Sequence, residues 1–239
     1  MMKTVQLTTL IFFLAAAPAF PESSGAFAAW TPEGWKLIAI TTGDLSQDDL
    51  EDVALILEQT NPANFIANDS LGVSTLNLNP RRLVVLLKTP EGYREVLSRD
   101  DLLPSENSQD APCLDDPLLG QGGISIVGGK LLIELGEWLS CGSWSVTHET
   151  FTFRLENTRF RLIGYDYSTF HRASGEASEE SINYLTGKRK TTTGLNTFEN
   201  SKPEVSWSRI SGERKFYLDK MVFSCQPSNE YFSSCTWSR

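Results

Sequence analysis

The segment Gly43-Asp44-Leu45-Ser46-Gln47-Asp48-Asp49-Leu50-Glu51-Asp52 sets oxygen-bearing side chains at alternate positions and runs directly into the apolar Val53-Ala54-Leu55-Ile56-Leu57. Hard cations such as Ca²⁺ take several oxygens at once, and a short loop with acids at this spacing can wrap one. The candidate ligands are the side chains of Asp44, Ser46, Asp48 and Asp52 and the Leu50 carbonyl. Asp49 stands where such loops place glycine, and the apolar Leu55 stands where an EF-hand has its bidentate glutamate, so this is not an EF-hand. The competing reading of the same residues is an acidic, solvated turn that keeps its neighbouring strands soluble.

A second candidate surface is aromatic. Trp138-Leu139-Ser140-Cys141-Gly142-Ser143-Trp144-Ser145 places two tryptophans around a cysteine and small residues, and Tyr165-Asp166-Tyr167 adds two amphipathic rings. Trp138, Trp144, Tyr165 and Tyr167 could stack against a sugar or peptide, or could simply pack. Nucleophilic catalysis has little to draw on. Gly142-Ser143-Trp144-Ser145 is not a G-x-S-x-G elbow, and His148 and His171 are the only histidines in the chain. Carboxylate pairs for glycoside hydrolysis could come from Asp115, Asp116, Glu134, Glu137, Glu149 or Asp166, but no spacing singles out a pair. The expectation is a protein that is not an enzyme.

The elements around the acidic turn read as strands, Trp35 to Ile40 before it and Val53 to Leu57 after it. In this setting the turn resembles the calcium loops of FG-GAP (VCBS, integrin-like propeller) repeats. The likeness covers Trp35 to Leu97 and is carried by Gly43-Asp44-Leu45, Asp48, Asp52-Val53-Ala54-Leu55 and the strand Leu83-Val84-Val85-Leu86-Leu87. It implies a Ca²⁺-rigidified loop and a binding or structural role. One such loop in a chain of 239 residues excludes a complete propeller of about seven blades.

Further along, Thr89-Pro90-Glu91-Gly92 turns Leu83–Lys88 back into Tyr93–Leu97, and Gly128-Gly129 joins 123–127 to 130–135. Residues 100–121 read as a long Pro-, Ser- and Asp-rich loop. Ser145 to Leu155 alternates strictly, with Phe151, Phe153 and Leu155 toward a core and His148, Thr150 and Arg154 on the other face. Phe160 to Tyr165 returns, a hairpin follows over 181–193 with Lys188-Arg189-Lys190 at its tip, and 205–210 with 215–223 make a last pair. The sum is an all-β chain of antiparallel hairpins, as a meander, sandwich or partial propeller.

Lys3 followed by an apolar stretch to Ala17, then Ala17-Pro18-Ala19 and Ala26-Phe27-Ala28, reads as a signal peptide over 1–28, cleaved after Ala19 or Ala28. The remainder, 29–239, reads as one domain in the periplasm or outside the cell, with no membrane span. Cys113, Cys141, Cys225 and Cys235 then favour two disulfides; pairing Cys113 with Cys141 and Cys225 with Cys235 closes the two short loops. A net charge of −9 argues against nucleic-acid binding. It suits an alternative role as an envelope inhibitor or immunity protein against a basic toxin or hydrolase.

Overall fold

The computed structural model describes residues 25–120, 122–212, 214–225 and 235–238. The expected signal peptide lies outside these residues up to position 24.

Two antiparallel sheets share one core. The first is built from the acidic-turn region. Strand β1 (Trp35–Gly43) crosses the turn into β2 (Asp52–Gln59), a short excursion makes the pair β3 (Phe65–Ala67) and β4 (Thr75–Asn77), and the chain returns as β5 (Arg81–Thr89) and β6 (Gly92–Leu103). The sheet order is β1-β2-β5-β6. Its inner strands carry unbroken apolar runs because both faces are covered. Ala54, Ile56, Leu83 and Val85 join the main core, whereas Val53, Leu55, Leu57, Val84 and Leu86 lie under Phe27, Trp30, Trp35 and Tyr93.

The second sheet is a seven-stranded meander of consecutive hairpins. It runs through β7 (Gly123–Val127), β8 (Lys130–Trp138), β9 (Ser145–Glu156), β10 (Arg159–His171), β11 (Glu176–Asn183), β12 (Lys188–Asn196) and β13 (Glu204–Arg209). Gly128 and Gly129 both take left-handed φ (55° and 71°), as a tight two-residue hairpin turn demands. The alternation of β9 holds: Phe151 and Phe153 are fully buried, with Leu131, Ile133, Phe160 and Leu162 beside them. Burying each such large apolar side chain contributes about 1.5–3 kcal/mol, so this inner face clamps the two sheets together. A small pair, β14 (Val222–Cys225) and β15 (Cys235–Ser238), completes the described strands.

Several expectations change. Residues 100–103 extend β6 rather than open a loop, because Leu102 and Leu103 find the core. Lys188, Arg189 and Lys190 are not a hairpin tip: the turn is at 184–187, and the three residues pair with Asn183, Ile182 and Ser181 within the sheet. The segment 215–223 is not one strand. It makes a bridge at Tyr217, a 3-10 turn at Leu218–Lys220, and only then β14. Cys113 and Cys141 form the expected disulfide, with Cα atoms 5.5 Å apart. Cys225 and Cys235 are cross-strand partners in the β14–β15 register; their side chains lie outside the described set.

Candidate functional site

The acidic turn is organised by its own amides. Asp52 is fully buried at the start of β2; its Oδ2 accepts the N–H groups of Leu45 (2.8 Å) and Ser46 (2.9 Å), and its Oδ1 accepts that of Lys88 on β5 (2.8 Å). Above it, Asp44 accepts the amides of Asp48 (3.1 Å) and Asp49 (3.0 Å), and Asp48 accepts that of Leu50 (3.0 Å). Gln47 and Asp49 adopt left-handed φ (62° and 65°), so Asp49 performs the backbone role for which glycine is usual. Ser46 Oγ is buried without a hydrogen-bond partner. Among the described residues no three His, Cys, Asp or Glu side chains are grouped to hold a metal ion. The five expected oxygens therefore divide into a strut at Asp52, the buried Ser46 hydroxyl, and the more exposed Asp44, Asp48 and Leu50 groups.

The four expected aromatic residues are not brought together. Trp138 is the cross-strand partner of Val146, whereas Tyr167 opposes Glu149 and Tyr165 opposes Phe151, which puts the tyrosines on the opposite face of the sheet. The tryptophans flank Arg172, whose guanidinium lies 4.7 Å from the Trp138 ring and 5.5 Å from the Trp144 ring. The same guanidinium donates to the carbonyls of Leu139 (2.7 Å) and Ser143 (2.6 Å), so it pins the disulfide-bearing loop. Trp144 remains 62% exposed.

On the inner face, the Tyr165 hydroxyl donates to Glu149 Oε1 at 2.7 Å, and Glu149 Oε2 has no partner. Burial is the main reason the Glu149 carboxyl is pushed up to about 7; the Tyr165 hydrogen bond opposes the shift, and the nearby Glu137 charge adds to it. Burial and the Glu149 charge likewise raise the Tyr165 phenol.

The opposite, solvent-facing side of the same strands holds a depression of about 240 Å³. His148 and Thr150 come from β9, Asp166 and Ser168 from β10, Glu179 and Ser181 from β11, and Lys190 and Thr192 from β12. Register puts them side by side: Ser168 opposes His148 and Glu179, and Asp166 opposes Thr150 and Ser181. None of the hydrogen bonds or ion pairs found among the described residues joins His148 to Ser168 or Asp166. The arrangement offers carboxylate acceptors at Asp166 and Glu179, hydroxyls on every strand and a cation at Lys190. That chemistry suits binding a polar molecule. His171, by contrast, accepts the amide of Ser174 at 3.1 Å and caps the β10–β11 turn.

The remaining carboxylates are dispersed. Asp116 forms a bidentate pair with Arg81 (2.7 and 2.6 Å), a residue only 1% exposed, and Arg81 Nε donates to Glu58 at 3.2 Å. Lys36 closes the chain of charges on Glu58 at 2.8 Å. Burial works against the Asp116 charge, yet the guanidinium and the Leu118 and Leu119 amides outweigh it and hold the carboxyl below its usual range. Sequence reasoning missed this buried network, and it missed Ser168, Glu179 and Lys190 as site residues.

Set against protein-family models, curated proteins and solved structures, the chain matches none of them. The likeness to FG-GAP repeats thus rests on the turn and strand residues named above.

Proposed function

We propose that this chain is an exported, non-enzymatic protein of the cell envelope that binds a polar, hydroxyl-rich ligand such as a glycan on the outer face of its seven-stranded sheet. The observation that carries this reading is the depression across β9 to β12, where Asp166 and Glu179 are exposed beside Lys190 and His148. Sugar hydroxyls donate well to carboxylates and accept from ammonium groups, and short hydrogen bonds to charged partners are the stronger kind. A glycan-array screen with the wild type and an Asp166→Asn, Glu179→Gln double variant tests it. Binding to a defined glycan subset that the double variant loses supports the reading; no signal above background, or signal indifferent to the substitutions, rejects it.

The acidic turn enters as the structural part of the same proposal, with Ca²⁺ as the cation that the spacing of Asp44, Ser46 and Asp48 suits. Titrating Ca²⁺ against the melting temperature measures this directly. A cation at about 100 times its dissociation constant would add about 2.7 kcal/mol.

A second reading is favoured by the charge of −9: an inhibitor or immunity protein that masks a basic toxin or hydrolase. Salt-sensitive co-purification of one basic partner, with an array that stays blank, would select it.

A further inference from the structure

We infer that the outer edge of β13 pairs with the same edge of a second copy of this chain, joining two seven-stranded sheets into one. β13 ends its sheet, and among the described residues no strand lies beyond it. At the other ends of the two large sheets β7 packs against β1, where Gly43 abuts Ile126, and β6 packs against β14. All six residues of β13 are exposed, including Val205 at 52% and Trp207 at 65%.

The backbone fixes which groups are free. The Ile210 amide donates to the Gly187 carbonyl at 3.0 Å, so even-numbered residues of the strand aim their N–H and C=O groups at β12. By the alternation of antiparallel ladders, Val205, Trp207 and Arg209 aim theirs outward. Exposed edges are usually blunted by charge, proline or a bulge; β13 keeps these at its ends, Pro203 and Glu204 before and Arg209 after, and leaves Val205-Ser206-Trp207-Ser208 uncharged between them.

A two-fold axis through Ser206 sets Val205 of each copy opposite Trp207 of the other. Both are outward-facing residues, so each such pair exchanges two N–H···O=C bonds. The same register stacks an aromatic on a β-branched side chain twice, one of the favoured cross-strand pairings. The self-complementarity of this short strand is what selects a second copy as the occupant. The same register sets Glu204 opposite Ser208 and Arg209 opposite Pro203, so no like charges stand directly opposite across the seam.

Sedimentation velocity of the purified chain from about 1 to about 100 µM tests the pairing. The expected result is a concentration-dependent shift from monomer to dimer. Trp207→Lys, which puts a charge on the edge, and Val205→Pro, which removes an outward N–H without touching the β12 ladder, should each raise the dissociation constant about tenfold or more. Val127→Lys, at an exposed position in the β7–β8 hairpin, should leave it unchanged. Melting of Trp207→Lys at low concentration should match the wild type, because its side chain is exposed in the monomer. A chain that stays monomeric throughout, or a dimer that survives both edge substitutions, overturns the inference.

Discussion

Replacing Asp52 by Ala removes the carboxylate that ties both ends of the acidic turn to β5. Its carboxylate receives three backbone amides, from Leu45, Ser46 and Lys88, at 2.8 to 2.9 Å, and the side chain itself is fully buried. An orphaned buried donor costs about 1–3 kcal/mol. The Ser46 and Lys88 amides are only partly buried, so the lower part of that range applies to them, and the total comes to about 3–5 kcal/mol. Asp44→Ala loses two exposed hydrogen bonds and should cost about 1 kcal/mol. Urea unfolding of the wild type and both variants, in excess chelator and again in Ca²⁺, separates the causes. The large Asp52 penalty should appear in chelator, with an unchanged denaturant slope. A loss below about 1 kcal/mol would refute the strut reasoning. Were the wild type in chelator already as weak as Asp52→Ala, the cation rather than the amides would be the organiser.

The native Glu149 carboxyl, raised from 4.5 to about 7, holds its proton longer than the unfolded chain does; its contribution is therefore complete below about pH 4.5 and is lost as pH rises through about 7. Glu149→Gln should flatten this slope, so that stability at pH 8.5 relative to pH 5 improves by about 2.5 kcal/mol over the wild type in paired denaturation curves. Arg81→Ala should cost about 3–5 kcal/mol by leaving the Asp116 carboxylate without its guanidinium, Glu58 keeping Lys36 and Asn77, whereas a double change to apolar residues, Arg81→Met with Asp116→Leu, should recover part of that loss. Opening the Cys113–Cys141 bridge, which spans a sequence separation of 28, should lower stability by about 3–4 kcal/mol in an otherwise identical Cys→Ser pair.

The legible parts of the fold are those where one face of a strand is apolar. Ser145–Leu155 announces both its strand and its buried face, and Gly128-Gly129 announces its hairpin, because the pattern and the turn chemistry agree. The first part of β11, Glu176 to Glu180, announces nothing: it lies toward the solvated end of the sheet, and Glu-Ala-Ser-Glu-Glu has no alternation for burial to impose. The candidate site sits where such strands meet, which is why only His148 and Asp166 of its residues stood out. Even Asp166 was assigned no face, and for a physical reason. Counting alternately from Phe160 and Leu162, both buried, would send Asp166 into the core. The register shift between Leu162 and Gly164 absorbs one residue and turns Asp166 and Ser168 outward while Tyr165 and Tyr167 turn in. A second shift, between Ala177 and Glu179, sets Glu179 opposite Thr192. Two irregularities of one residue each thus decide which side chains meet in the depression; each falls at a glycine, Gly164 and Gly194, the latter at φ 69°, and a lone glycine marks where a bulge can sit without saying how it resets the pairing. The same holds for Arg81. Next to Arg82 in the chain it reads as one of two surface cations, and only the approach of the loop carrying Asp116, anchored through Cys113, makes it the most deeply buried cation among the described residues.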